Sequence, residues 1–271
     1  MIEAVQNTQL DEYLTTCEAA ARAGGRELNA WRGRFQTREK AVCDLVTDAD
    51  VASQEAIRRV VAERYPEHAF LGEERPVEPT EFGDDQLVWI VDPLDGTTNY
   101  VHGYPNYAVS VAIARGRDVL AGVIYDPLHE DCFSAAVGKG AWCNGGQLRT
   151  SGVTKVPEAL VGVSLPARVP RDSPDLLDFI EAVQTCQAVR RTGSAALNLA
   201  HVANGTLDAF WATHIHTWDV AAGVLLIREA GGMVTGRNGG RFDLWKPHFL
   251  AAAGPELHRK LLSVLTEFAA R

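Results

Sequence analysis

The chain lacks the composition of several common classes of protein. Its 271 residues include 26 Lys and Arg against 35 Asp and Glu, a formal net charge of -9. Because nucleic-acid backbones are bound by clustered Lys and Arg, this balance argues against nucleic acid as the main partner. The five cysteines are dispersed and none forms a C-x-x-C pair. We therefore expect reduced thiols in a cytoplasmic protein, with no disulfide framework or zinc site.

Long apolar runs and leader-like patterns are missing as well. No stretch approaches the roughly 18 apolar residues that a membrane span requires. Residues 1–10 are polar and have no basic flank before an apolar core, so we expect no signal peptide. With 46% hydrophobic and 23% charged residues, the chain has an ordinary globular balance and is long enough for a substantial core.

The apolar pattern predicts two regions of different character. In residues 1–150, an N-terminal α+β region, helices near residues 11–24 and 51–64 accompany closely spaced strands. Asp11 is the predicted N-cap of the first helix, and Gly24-Gly25 are expected to interrupt or end it. Residues 151–271 alternate strands with helices, which is typical of an α/β layer. We expect the two regions to form one compact unit.

One stretch in the first region combines a buried strand with paired carboxylates. The run 87–91 is short, β-branched and aromatic-rich, and Pro93 is expected to end it. Asp92 and Asp95 straddle the Pro-Leu turn, so both side chains and the carbonyl of Leu94 can converge on one point. Carboxylates and carbonyls are ligands that Mg²⁺ favours, so the stretch predicts a site for a hard cation.

The residues that follow have two interpretations. Gly96 lets the chain turn away, and Thr97 and Thr98 are placed to cap a helix or to orient a water molecule. Read without the rest of the chain, the whole stretch is also compatible with a strand, an Asp-rich turn and an N-cap.

Three other acidic segments have plain structural explanations when each is taken separately. Asp44 to Asp50 precedes a helix, where negative charge offsets the helix dipole. Gly72-Glu73-Glu74 ends a short strand and is a common loop sequence. Asp219 is a possible N-cap. His214 and His216, just before it, could face a transition metal, but no Cys or third His stands nearby. The glycines of segment 138–145 favour a hairpin over a nucleotide-binding loop.

Taken together, four segments carry a family resemblance. They are Asp44 to Asp50, Gly72 to Glu74, Trp89 to Tyr100, and Trp218 to Gly223 with Glu229 to Gly232. In that order and spacing they resemble the inositol monophosphatase family, the Mg²⁺-dependent, lithium-sensitive phosphatases related to fructose-1,6-bisphosphatase. The resemblance implies a layered α-β-α-β-α sandwich and a homodimer. It also implies a phosphomonoesterase that acts on inositol monophosphate or a similar polyol phosphate.

The resemblance also implies a role for each acidic residue. Two or three Mg²⁺ ions are expected in each site. Glu73, Asp92 and the Leu94 carbonyl resemble ligands of the first ion, with Thr97 assisting. Asp92, Asp95 and Asp219 resemble ligands of the second, so Asp92 bridges the pair. Glu73 further resembles the acid that holds a weaker third ion.

The remaining assignments concern water and substrate. Asp50 with Thr97 is expected to polarise the attacking water, so that the phosphate ester is hydrolysed by direct in-line attack. Backbone amides at Gly96 and Thr97 would hold phosphate oxygens at a helix N-terminus. Thr98, Ser194 and Ala195 are the expected substrate-side residues.

Two positions depart from the inositol-specific pattern. Ala212 stands where these phosphatases typically carry a Glu that contacts sugar hydroxyls, and Glu39 stands where a Lys is usual, although Lys40 is adjacent. Because a lost hydrogen bond to a hydroxyl weakens selection for polyols, other esters remain open: histidinol phosphate, fructose 1,6-bisphosphate or a nucleotide 3′-phosphate. A binding or regulatory protein with vestigial activity is the alternative of another class.

Overall fold

The computed structural model of the chain describes residues 7–41, 44–74, 82–83, 85–166 and 168–269, with the side chains of 40, 41, 44 and 266–269 left aside. Several predictions therefore lie outside the described residues. They concern the polar start of the chain, the thiol of Cys43 and the carboxylate of Asp44. They also concern Lys40 as a replacement for the lysine usual at position 39, and most of the Pro- and acid-rich loop expected over residues 75–86.

The described residues form helices and strands in the following order. The helices are α1 (Asn7–Trp31), α2 (Asp48–Arg64), α3 (Thr97–His102), α4 (Pro174–Thr185), α5 (Ala195–Ala203), α6 (Thr217–Glu229) and α7 (Pro255–Ala269). The strands are β1 (Thr37–Ala41), β2 (Asp44–Thr47), β3 (Ala69–Gly72), β4 (Leu87–Asp95), β5 (Ala108–Arg115), β6 (Asp118–Asp126), β7 (Asp131–Ala136), β8 (Ala141–Cys143), β9 (Gly146–Gln147), β10 (Leu160–Val163), β11 (Ala188–Arg190), β12 (Ala209–Ala212), β13 (Met233–Gly236) and β14 (Phe249–Ala252).

The strands form two large sheets and one hairpin. The seven-stranded sheet has the order β3-β4-β5-β6-β7-β8-β9 and is antiparallel except for the parallel pair β3-β4. The five-stranded sheet has the order β11-β10-β12-β14-β13, with β10 parallel to both its neighbours. β1 and β2 form a separate antiparallel hairpin. The glycine-rich segment 138–145 belongs to hairpin connections of the large sheet, as predicted.

Helices separate the sheets into layers. α1 and α2 pack on one face of the seven-stranded sheet, α5 and α6 lie between the two sheets, and α4 and α7 cover the outer face of the five-stranded sheet. Three apolar clusters fill the spaces between these layers. The predicted α-β-α-β-α sandwich is confirmed. No helix among the described residues is both long enough and apolar enough to cross a membrane.

The first helix differs from its prediction at both ends. α1 begins at Asn7, not at Asp11, and continues through Gly24-Gly25 to Trp31. Both glycines are buried at close contacts. A Cβ on Gly24 would lie 2.6 Å from the Ser53 hydroxyl, and one on Gly25 would lie 2.6 Å from the Tyr125 ring. Their role is close packing of α1 against α2 and the sheet, which outweighs the low helix propensity of glycine.

The strand that carries the central acids is also longer than predicted. β4 continues past Pro93 to Asp95, but its register against β5 shifts between Asp92 and Asp95. Pro93 and Leu94 are thereby left out of the ladder, which suits a residue without a backbone N–H. The irregular end of β4 therefore brings both aspartates to one edge of the sheet.

Candidate active site

Three carboxylates converge where β4 ends and α6 begins. One carboxylate oxygen from each of Asp92, Asp95 and Asp219 lies within 4.8 Å of the others. Asp92 and Asp95 are buried on β4, and Asp219 is half-buried in the first turn of α6. There Asp219 accepts a hydrogen bond of 2.7 Å from the backbone N–H of His216, so it also stabilises the helix start.

The electrostatics of this cluster favour a cation. Burial, followed by the charges of Glu73, Asp95 and Asp219, raises the pKa of Asp92 well above its ordinary value. Burial also raises the pKa of Asp219 strongly, and that of Asp95 to about 6. Buried, mutually repelling carboxylates are costly unless a positive charge compensates them. Clustered oxygen donors of this kind fit a hard divalent cation.

Glu73 lies beside the cluster, at the end of β3. Its backbone N–H donates to the Val91 carbonyl over 3.2 Å, so the turn after β3 is fastened to β4. α2 supports the same turn, because the Glu74 N–H donates to Gln54 Oε1 over 3.0 Å. The Glu73 carboxylate is outside the 4.8 Å group, but its charge contributes to the raised pKa values of Asp92 and Asp219.

Asp50 and Thr97 meet on the other side of β4. Asp50 is fully buried and accepts hydrogen bonds from the N–H and hydroxyl of Thr47, at 2.8 and 2.5 Å. The Thr97 hydroxyl lies 3.2 Å from Asp50 Oδ1 and 3.1 Å from the Leu94 carbonyl. Burial raises the pKa of Asp50 to about 7, despite the Thr47 hydrogen bonds, which lower it.

The start of α3 corrects one expectation. Gly96 is the N-cap, with a φ of 93°, and Thr97 and Thr98 are helical residues that do not cap. The left-handed conformation requires glycine here, and a Cβ would lie 3.0 Å from the Asn106 carbonyl. Because Gly96 makes the turn, the Thr97 side chain is free to face Asp50.

Ser194 and Ala195, the predicted substrate-side residues, hydrogen-bond to Asp95. The Ser194 hydroxyl donates to Asp95 Oδ2, and the backbone N–H groups of Ala195 and Ala196 donate to Asp95 over 3.1 and 2.9 Å. Ser194 also caps α5 by accepting from the Leu197 N–H. These hydrogen bonds at a helix N-terminus stabilise the ionised form of Asp95. The sequence analysis did not predict this role. Ser194 and Ala195 also line a cavity beside the carboxylates.

A cavity of about 480 Å³ opens beside the carboxylates. Its lining includes Asp95, Ser194, Ala195 and Asp219, together with the exposed Thr98. Asn99 fastens its wall: its side-chain amide donates to the carbonyls of Asn106 and Thr192 over 2.6 and 2.9 Å. Asn99 was not predicted as a site residue, although it lies within the segment Trp89 to Tyr100.

The two unusual positions lie in different surroundings. Ala212 is fully buried at the end of β12, and Glu39 is exposed on β1.

His214 and His216 lie in different surroundings. The His216 ring stacks on Trp218 at 4.7 Å, whereas His214 lines the cavity.

A layered fold that brings three carboxylates together beside an open cavity defines a candidate metal-dependent enzyme. The sequence matches the inositol monophosphatase family over residues 9–269. An inositol-1-monophosphatase of Mesorhizobium japonicum is 38% identical over 250 residues, covering 91% of this chain and 93% of that protein. The Nus factor SuhB of Pasteurella multocida is 38% identical over 249 residues, covering 90% and 92%.

A comparison of the fold with solved structures points to the same family. The crystal structure of the extragenic suppressor protein suhB from Bartonella henselae superposes with a TM-score of 0.86 at 34% identity, covering 93% of this chain and 98% of that one. The chain belongs to the inositol monophosphatase family, whose members are metal-dependent phosphatases.

Proposed function

We propose that the protein is a Mg²⁺-dependent phosphomonoesterase that hydrolyses inositol monophosphate or a similar small polyol phosphate. The observation that carries the proposal is the convergence of Asp92, Asp95 and Asp219 within 4.8 Å, beside a cavity of about 480 Å³. The name of the M. japonicum relative supports the substrate class.

The metal-binding residues in this proposal are Glu73, Asp92, Asp95, Asp219 and the carbonyl of Leu94. Bound Mg²⁺ ions, two or three in each site, would neutralise the phosphate and lower the pKa of a coordinated water. The donor set is suitable, because it consists of carboxylate and carbonyl oxygens. The pKa values of Asp92 and Asp219 are raised, and a bound cation would lower them.

The chain's own contribution to the reaction is orientation and proton handling. In the proposed mechanism the Thr97 hydroxyl donates a hydrogen bond to the ionised Asp50 carboxylate and accepts one from the attacking water. As the water attacks, it gives its proton to Thr97, and Thr97 gives its own proton to Asp50. Their separation of 3.2 Å supports this arrangement. Asp50 is buried, so it can hold a proton near neutral pH. Phosphate oxygens would approach the amides of Gly96 and Thr97 and the side chain of Thr98.

The proposal is tested by phosphate release from inositol 1-phosphate with and without Mg²⁺, comparing wild type with Asp92→Asn. We expect a loss of at least about 100-fold in kcat for this variant, since it removes a ligand shared by two ions. Asp126→Asn is the matched control. Asp126 is also buried, but it accepts hydrogen bonds in the turn that contains Leu128 and His129. Activity that is independent of Mg²⁺, or that survives in Asp92→Asn, would contradict the proposal.

A partner-binding role is the second candidate, because the P. multocida relative is named a Nus factor. The buried acids favour catalysis over this role, since a docking surface gains nothing from repelling carboxylates in its interior. No turnover of inositol 1-phosphate, histidinol phosphate, fructose 1,6-bisphosphate or a nucleotide 3′-phosphate by folded, Mg²⁺-bound protein would favour the binding role.

Three further properties are proposed from the family resemblance. We infer a homodimer, inhibition by lithium and a cytoplasmic location, and the free thiols of Cys17, Cys132, Cys143 and Cys186 support the last of these. Light scattering would show the mass of a single chain if the dimer is wrong. Added Li⁺ would leave phosphate release unchanged if the inhibition is wrong.

A further inference from the structure

The cavity lining combines acidic and basic groups. Among the described residues that line it, the acidic ones are Asp95 and Asp219, and both belong to the carboxylate cluster. The same lining contains two basic groups, Arg191 and His214. A phosphate ester bound with its phosphate at Asp95 and Asp219 would leave its leaving group in the rest of this cavity. We call the part of the lining formed by Arg191 and His214 the leaving-group end, and the part formed by Asp95 and Asp219 the carboxylate end.

The acidic hydroxyl contact expected in this family is missing from the leaving-group end. Ala212 has no functional group and is fully buried. No other acid replaces it among the lining residues that the structure describes. A leaving group that carries only hydroxyls therefore has no carboxylate partner at this end of the cavity.

Arg191 is available to bind an anion. It is exposed, and within the part of the chain that the structure describes its guanidinium makes one hydrogen bond, from Nη2 to the Leu165 carbonyl over 3.3 Å. This contact sets the guanidinium against the cavity wall, since Leu165 lines the cavity too. A guanidinium has five donors and pairs with carboxylates and phosphates in a two-pronged geometry. Most of those donors remain for a ligand.

His214 is held in place by a small polar network. Its Nδ1 lies 3.3 Å from Asp175 Oδ2 and 3.0 Å from the Thr213 hydroxyl. The Thr213 hydroxyl in turn donates to Asp175. Asp175 lies in the first turn of α4 and its side chain is 11% exposed. A carboxylate that fixes one imidazole nitrogen orients the other nitrogen.

We propose that the leaving-group end of the cavity selects phosphate esters bearing a second anionic group, a carboxylate or a second phosphate, which Arg191 and His214 bind. The inference rests on the proposed phosphatase activity and specifies its substrate class. The leaving-group anion pairs with the guanidinium, while the scissile phosphate stays at the carboxylate end with its metal ions.

The test uses two pairs of esters that differ in that one group. Glycerol 2-phosphate and 2-phosphoglycerate differ by a carboxylate, and fructose 1-phosphate and fructose 1,6-bisphosphate differ by a phosphate. In the wild-type protein with Mg²⁺ we expect kcat/KM to be higher for the anionic member of at least one pair. The pair that shows the difference identifies the anion.

Variants of Arg191 and His214 then test whether these residues cause the preference for anionic esters. Arg191→Gln should lower the anionic-to-neutral ratio of kcat/KM about tenfold, the size of one charged hydrogen bond. His214→Gln should lower it in the same direction, and Arg191→Lys should restore part of it. Arg190→Gln is the matched control. Arg190 is the exposed neighbour of Arg191, and its guanidinium donates a hydrogen bond to the Val189 carbonyl. It is not among the residues that line the cavity.

The two proposals fail in different ways. Hydrolysis of the neutral esters with no preference for their anionic partners would overturn the charge selectivity and leave the phosphatase standing. An unchanged ratio in Arg191→Gln, or equal losses on both members of a pair, would also overturn it. No Mg²⁺-dependent turnover of any ester would overturn the phosphatase proposal itself.

Discussion

Asp50 should make the metal-free protein less stable as the pH rises. Its pKa is raised from 3.8 to about 7 in the folded protein, mainly by burial. Because the unfolded chain releases this proton near its ordinary pKa of about 4, the folded state binds more protons between the two values. The stabilising contribution is fully present below about pH 4 and is lost as the pH rises to about 7. The total is about 4 kcal/mol, or about 1.4 kcal/mol for each pH unit in that window.

The measurement is the free energy of unfolding by urea, in EDTA, at several pH values from 4 to 8, for wild type and Asp50→Asn. Both Thr47 hydrogen bonds reach Asp50 Oδ2, whereas the Thr97 hydroxyl reaches Oδ1. Asparagine has only one acceptor oxygen and cannot accept all three, so the variant's whole curve should shift downwards. The prediction concerns the slope, which that shift does not change. Wild type should fall more steeply than Asp50→Asn by about 1.4 kcal/mol per pH unit.

The control for this experiment is on the same helix. Glu55→Gln changes an exposed acid of α2, and its curve should run parallel to that of wild type. Parallel curves for wild type and Asp50→Asn between pH 4 and 7 would refute the reasoning, because Asp50 would then titrate alike in both states.

Two further predictions concern the support of the site and its packing. Ser194→Ala should raise the Mg²⁺ concentration needed for half-maximal activity about tenfold, because Asp95 loses its hydroxyl donor. Ser194→Thr keeps that donor and should stay close to wild type, and equal requirements for the two variants would contradict the role. Gly223→Ala should cost about 1–3 kcal/mol in thermal denaturation, because its Cβ would lie 2.4 Å from Leu199. Gly83→Ala, whose Cβ would have no described atom within 4 Å beyond its chain neighbours, should melt like wild type. An unchanged melting temperature for Gly223→Ala would show that α5 and α6 adjust freely.

The convergence of the acids could be predicted because local rules and the family pattern agree. Strand β4 is apolar and β-branched, so its end is visible in the sequence, and Asp92 and Asp95 occur there. The layered fold was predicted from the family resemblance, and the switch between closely spaced strands and alternating helices agrees with it. In these segments local preference and tertiary packing point to the same structure.

The sequence is less informative where a residue depends on a distant partner. Gly24 and Gly25 are helix-breaking by propensity, but they are retained within α1 because Ser53 and Tyr125 leave no room for a side chain. The partner of Ser194 is Asp95, 99 positions away. No periodicity links two such positions, so the bond that holds this carboxylate became visible only in three dimensions.

The bonds from α5 to Asp95 have a thermodynamic consequence. Asp95 comes from the first region of the chain, whereas Asp219 and the donors of α5 come from the second. A cation bound between these carboxylates would therefore favour the docked arrangement of the two regions over any separated one, by its own binding free energy. Conversely, a substitution that populates a separated arrangement of the regions, however far from the carboxylates, lowers the apparent affinity for the cation in proportion to the docked fraction that remains. The metal requirement of such variants thus reports the fraction of molecules in which the two regions are docked.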